Sequence, residues 1–185
     1  LARMAHPCAV KDAAFSDDGR VLMTDCDDQV LRLWDSDRAT LLASLQHAKP
    51  VSFAWIAANR RRVLSGTTDN IAHVWTLGPE SGVVSHVQVP HTDNLQEVDV
   101  GLDGRRVLTL ANYTARLWDI GDDRRPTLLE SWSDVNHIEL SPDGRVAVLA
   151  TGYGRVLVWD LEDVREIFGV MHDDLLAGLL RCPTA

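Results

Sequence analysis

Apolar and polar residues alternate along much of the chain in short runs, as in Val30-Leu31-Arg32-Leu33-Trp34 and Ala115-Arg116-Leu117-Trp118. A period of two puts one side of an extended segment against a core and the other toward polar surroundings. An unbroken apolar run such as Val146-Ala147-Val148-Leu149-Ala150 suits a strand covered on both faces. In the first part of the chain the pattern predicts strands over 10–15, 21–25, 30–34 and 40–45. Turn signals separate such runs: Ser16-Asp17-Asp18-Gly19-Arg20, Leu102-Asp103-Gly104-Arg105 and Ser141-Pro142-Asp143-Gly144-Arg145, with a looser Ala57-Ala58-Asn59-Arg60. Asp-Gly between apolar runs marks a hairpin, because glycine takes the positive φ that the turn or its bulge requires. No stretch carries the period of a long amphipathic helix, and only 173–180 fits a short one.

The pattern repeats. Trp34, Trp75, Trp118 and Trp159 each end a strand-like run and lie 41, 43 and 41 residues apart, and Asp35, Asp119 and Asp160 follow three of them. His6, His47 and His91 stand four residues ahead of an apolar strand start, where the fourth unit has Ser131. His172 stands 13 residues after Trp159, as His47 does after Trp34. A period near 42 with Trp-Asp endings and phased histidines resembles the WD-repeat (WD40-type) β-propeller family, in which each period is one four-stranded antiparallel blade. The resemblance covers nearly the whole chain. It implies an all-β fold with blades over 6–46, 47–90, 91–130 and 131–171, and the start of a fifth over 172–185. Rings of this family hold roughly six to eight blades, and repeats bury their faces only against neighbours. The 1–185 chain is therefore expected to be one partial propeller domain, completed by further blades of a parent chain or by self-association.

The resemblance also implies a buried hydrogen-bond chain in each blade. It runs from the phased histidine to an aspartate in the turn between the second and third strands, and through a Ser or Thr to the tryptophan indole. Carried over residue by residue, blade one uses His6, Asp28, Thr24 and Trp34, and blade two His47, Asp69, Ser65 and Trp75. Blade three keeps His91, Thr109 and Trp118 but has Asn112 in the aspartate position, an acceptor without charge. Blade four keeps only Trp159, with Ser131 and Tyr153 at the other places. Trp132 is expected in the loop leading into blade four, Tyr153 in that blade's turn and Tyr113 in the matching turn of blade three. Gathered on one rim, these aromatics would anchor a protein partner. Alternatively, Trp132 folds back into the space of the missing histidine.

Composition narrows the function classes. With 45% apolar residues, the 185-residue chain can bury a sizeable core, and no Pro-, Ser- or Gly-rich linker divides it. A net charge of −9, with acidic clusters at 25–28 and 122–123, gives nucleic acid little to bind, and Arg60-Arg61-Arg62 fits a solvated turn. No run reaches the ~20 apolar residues of a membrane span and no signal peptide opens the chain, so no membrane partner and a cytoplasmic location are expected. Cys8, Cys26 and Cys182 read as ordinary thiols, lacking paired zinc-motif spacing. The acidic run around Cys26 lacks the spacing of a calcium loop. Nothing resembles a nucleophile elbow, a phosphate-cradling loop or a metal quartet, so no catalysis, cofactor or metal is expected. The expected function is a scaffold that binds protein or peptide partners through its loops. The alternatives are a regulatory or sensor arm of a larger signalling enzyme, such as a kinase or nucleotidase, and a degenerate structural fragment.

Overall fold

The computed structural model describes residues 3–57, 61–78, 82–101, 105–121, 125–141, 143–163 and 165–171. Every regular element among them is a strand, arranged as four antiparallel sheets of four. Blade one holds β1 (Val10–Phe15), β2 (Val21–Cys26), β3 (Val30–Asp35) and β4 (Thr40–Gln46). Blade two holds β5 (Val51–Ile56), β6 (Arg62–Thr67), β7 (Ile71–Leu77) and β8 (Val83–Pro90). Blade three holds β9 (Leu95–Val100), β10 (Arg106–Ala111), β11 (Thr114–Asp119) and β12 (Thr127–Trp132). Blade four holds β13 (Val135–Leu140), β14 (Val146–Thr151), β15 (Arg155–Asp160) and β16 (Arg165–Met171). Each sheet is a meander in chain order, the WD-type blade arrangement implied by the repeats. Two compact units divide the chain: Leu1–Leu95 with Gly121–Pro126, which holds blades one and two, and Gln96–Ile120 with Thr127–Ala185, which holds blades three and four.

Turn chemistry fixes the hairpins. In blades one and four, Ser16 and Ser141 hydroxyls donate to Asp18 and Asp143 at 2.9 and 2.6 Å, and accept from the amides of Val21 and Val146. Gly19 and Gly144 close these turns at φ 71° and 72°, where an L side chain is strained. Between the second and third strands, Gln29, Asn70 and Gly154 take the left-handed position at φ 65°, 64° and 71°. Blade three differs. Its connection is the two residues Asn112 and Tyr113, both left-handed at φ 46° and 59°, the pattern of a tight turn that favours glycine in second place.

The expected division at 130/131 needs correction. Ser131 and Trp132 pair with Arg116 and Ala115 as the end of β12, so they belong to blade three's outer strand and not to a loop entering blade four. The apolar Leu128 and Leu129 carry the extended pattern onward, and the Trp132 ring packs on the core. The proposed fifth unit and the short helix over 173–180 lie outside the described residues.

Each unit has its own core. In the first, Leu31, Leu33, Leu45, Ile56 and Val63 cluster with Trp75; in the second, Leu108, Leu110, Leu117, Ile138 and Leu149 cluster with Leu161. Within the second unit, carboxylates on β9 tie the two blades together. Glu97 Oε2 accepts the Ile138 amide at 3.1 Å, and Asp99 Oδ2 accepts the Leu140 amide at 2.7 Å. Burial pushes the Asp99 carboxyl up from its ordinary value, against the amides of Leu140 and Val100, which favour its charged form.

Core and rim positions should respond differently to truncation. Leu117→Ala removes a fully buried side chain and is expected to cost about 2–5 kcal/mol, whereas Leu41→Ala, at a half-exposed site, should stay within about 0.5 kcal/mol. Urea midpoints of the two variants check this.

Candidate functional site

Blade one carries a short polar relay into its apolar interior. The Trp34 indole donates to Thr24 Oγ1 at 3.0 Å, and Thr24 Oγ1 lies 2.9 Å from His6 Nε2. His6 Nδ1 donates to the Met4 carbonyl at 3.0 Å, which leaves Nε2 as the acceptor of the threonine proton. Asp28 has no part in this relay, contrary to expectation. Its carboxylate is held by the Arg32 guanidinium at 2.5 and 3.1 Å, which brings the Asp28 pKa down to about 2. A fixed charge with two parallel donors outcompetes a neutral imidazole for a carboxylate.

Blade two departs further. His47 Nε2 meets Ser65 Oγ at 2.8 Å, but the Trp75 indole N–H is buried without a partner. Asp69, expected beside His47, instead accepts from Thr67 Oγ1 at 2.6 Å. Thr67 Oγ1 lies 3.1 Å from His73 Nε2, and His73 Nδ1 lies 2.9 Å from His86 Nε2. With Thr67 donating to the carboxylate, the protons order in one direction: His86 Nε2–H to His73, His73 Nε2–H to Thr67, and Thr67 O–H to Asp69. The strand register assembles this chain. His73 and Trp75 lie two apart on β7 and share a face, while His86 on β8 is paired opposite Trp75. The His86 and Trp75 rings stack with centroids 3.5 Å apart and planes 2° apart, so the indole is held by stacking where Trp34 is held by a hydroxyl. Burial holds all three imidazoles neutral: His73 falls to about 3, His86 to about 4, and His47 is lowered as well. The phased positions could not have revealed His73 and His86. Their signal was three histidines outside the repeat phase, one of them two residues ahead of a tryptophan.

In blade three the Trp118 indole donates to Thr109 Oγ1 at 2.8 Å, and His91 Nδ1 donates to the Val89 carbonyl at 3.0 Å. Asn112 is exposed in its tight turn, so it does not stand in for a buried aspartate. In blade four the Trp159 indole N–H is buried without a partner. Trp132 meets Trp159 edge to face, with centroids 4.9 Å apart, and its own N–H is also buried. Trp132 therefore fills the interior beside Trp159 and is not an exposed rim residue. Removing it from the rim leaves two aromatics there: Tyr113 and Tyr153 are 57% and 75% exposed in corresponding turns of the second unit.

Residues 2–35, which take in the first three strands of blade one, match the family described as WD domain, G-beta repeat. The chain is 27% identical over 161 residues to Autophagy-related protein 16 of Arabidopsis thaliana, covering 85% of this chain and 31% of that protein. It is 27% identical over 159 residues to Serine-threonine kinase receptor-associated protein of Dictyostelium discoideum, covering 85% and 53%. It is 30% identical over 154 residues to Retinoblastoma-binding protein 5 homolog of Drosophila melanogaster, covering 80% and 31%. The chain thus spans about a third to a half of the length of these relatives. Its first repeat matches the WD40 type, and the four meander sheets have the blade arrangement of that type.

Two outcomes follow from this geometry. Thr24→Val strands both the Trp34 donor and the His6 ring, whereas Ser65→Ala strands only His47. With each buried unpaired group costing about 1–3 kcal/mol, Thr24→Val is expected to lower the urea midpoint more.

The histidines of blade two set a pH response. Their folded pKa values are depressed, so the stability they contribute is complete above the ordinary imidazole value near 6.5. It is lost as pH falls toward 4 and then 3, because the unfolded chain takes up protons first. Stability should already decline between pH 6.5 and 5, by at most about 1.4 kcal/mol per pH unit for each histidine. His73→Phe should flatten that slope in denaturant titrations run at both pH values.

Proposed function

We propose, on the premise that these sheets are WD40-type repeats, that the chain is a protein-interaction module. It takes a protein or peptide partner on the turns of its second unit, with Tyr113 and Tyr153 as anchors. The observation that carries this reading is Tyr113 itself. A large aromatic residue occupies the second place of a two-residue turn at φ 59°, where glycine is favoured, and it holds its ring 57% exposed. A bulky left-handed residue costs about 1–3 kcal/mol and is retained where something other than folding uses it. Tyr153 gives a second ring at the corresponding turn of the adjacent blade. Aromatic side chains of this kind bring large contact area with few rotatable bonds, which is why they anchor interfaces.

Two of the relatives carry names that describe association, one with a kinase receptor and one with the retinoblastoma protein. An accessory role in the cytoplasm fits this chain better than a reaction of its own. Val10 and Phe15 on β1 are 46% and 63% exposed, which favours a further blade or a second copy packing against the first unit.

The test separates binding from stability. Tyr113→Gly is expected to keep stability within about 1 kcal/mol of the parent, on the stabilising side, because glycine takes φ 59° without strain. Combined with Tyr153→Ala, it should abolish saturable capture of a protein partner while the thermal midpoint barely moves. Trp132→Ala should do the reverse, lowering the midpoint through loss of packing on Trp159. Undiminished capture by the double tyrosine variant would overturn the placement of the partner on these turns.

A further inference from the structure

Blade one brings two thiols and a carboxylate together from three places in the sequence. Cys8 precedes β1, Cys26 closes β2, and Asp28 sits in the turn that follows. One ligating atom from each lies within 4.8 Å of the other two. Cys26 is fully buried, while Cys8 and Asp28 are half-buried and leave the group reachable from solvent. The Cys8 sulfur thus lies beside both the Cys26 sulfur and the Asp28 carboxylate. Arg32 grips that carboxylate from the other side and is itself only 13% exposed.

We infer that Cys8, Cys26 and Asp28 form a binding site for a thiophilic divalent cation of the zinc type, held by two sulfurs and one carboxylate oxygen, with water as the fourth donor. Sulfur and carboxylate donors in a four-coordinate set suit zinc, and one open position for water completes the tetrahedron. Both thiols release their protons to solvent on binding. The divalent ion, two thiolates and one carboxylate then sum to a single negative charge, which the Arg32 guanidinium neutralises. Arg32 also acts as the outer partner that orients the coordinating carboxylate. A small rearrangement suffices, because the three donors, from the segment before β1, from β2 and from the turn after it, already lie within 4.8 Å of one another.

The experiment uses the full chain under reducing conditions in a Cys182→Ser background, titrated with cadmium as a spectroscopic substitute for zinc. A thiolate-to-cadmium charge-transfer band is expected to saturate at one equivalent, with a rise in the thermal midpoint. Cys8→Ser and Cys26→Ser should each weaken binding at least about tenfold and cut the band, and Asp28→Asn should weaken binding by about 10–100-fold with the band retained. Cys8 is half-buried, so Cys8→Ala provides a folded variant if Cys26→Ser does not fold, and it too should lose the band. Absence of a saturable band in the parent would overturn the assignment, as would a band unchanged in the Cys8 variants. Recovery of Cys8 and Cys26 as a disulfide under the same reducing conditions would also overturn it.

Discussion

A tryptophan indole packed into a blade needs a support for its ring and a partner for its N–H, and how far each blade supplies both organises the rest of its interior. Blades one and three supply the partner as a threonine hydroxyl on the second strand, Thr24 for Trp34 and Thr109 for Trp118. Blade two has a serine there, and Ser65 serves the histidine instead. Its indole rests on the His86 ring, and that histidine extends a polar chain to the turn aspartate. Blade four has neither arrangement, and Trp132 is packed edgewise against Trp159. The hydroxyl satisfies the N–H, whereas the stacked imidazole and the second indole support the ring and leave its N–H unpaired. Each carries a different set of neighbours with it.

The fold was legible because its signals are local and repeated. Alternating apolar positions placed the strands of blade one within a residue of their observed ends, and Asp-Gly marked the Gly19 and Gly144 turns. The division between blades three and four was less legible. Histidine phasing placed Ser131 at the start of a unit, yet pairing with Arg116 makes it part of an outer strand. Cross-strand pairing is a long-range event, and the phase of one residue type does not encode it.

The polar interior was legible only in part, for a related reason. Its hydroxyls and tryptophans sit where the repeats put them, but both turn aspartates have other partners. The residue opposite the second-strand hydroxyl decides the matter: Arg32 faces Thr24, and His73 faces Ser65. Arg32 reaches Asp28 directly, while His73 reaches Asp69 through Thr67. That position lies two residues before each tryptophan and was visible in the sequence. Its significance appears only when the register shows what it faces. Rim aromatics raise the same difficulty, since Trp132 and Tyr153 look alike as replacements and only packing separates a ring that fills a gap from one that stands in solvent.

The bond between the inner strands of blades three and four is made by carboxylates on one partner and by two main-chain amides on the other, with the His137 ring adding one side-chain contact to Glu97 at 3.0 Å. Glu97 and Asp99 receive the amides of Ile138 and Leu140, groups that every residue except proline possesses. The joint is therefore asymmetric in what it asks of the sequence. On β13 only His137 commits a side chain, and almost any residue elsewhere leaves the two amides in place, so the rest of that strand can acquire new outward side chains without loosening its attachment. On β9 two acidic positions are committed, and exchanging either one strands an amide of its neighbour.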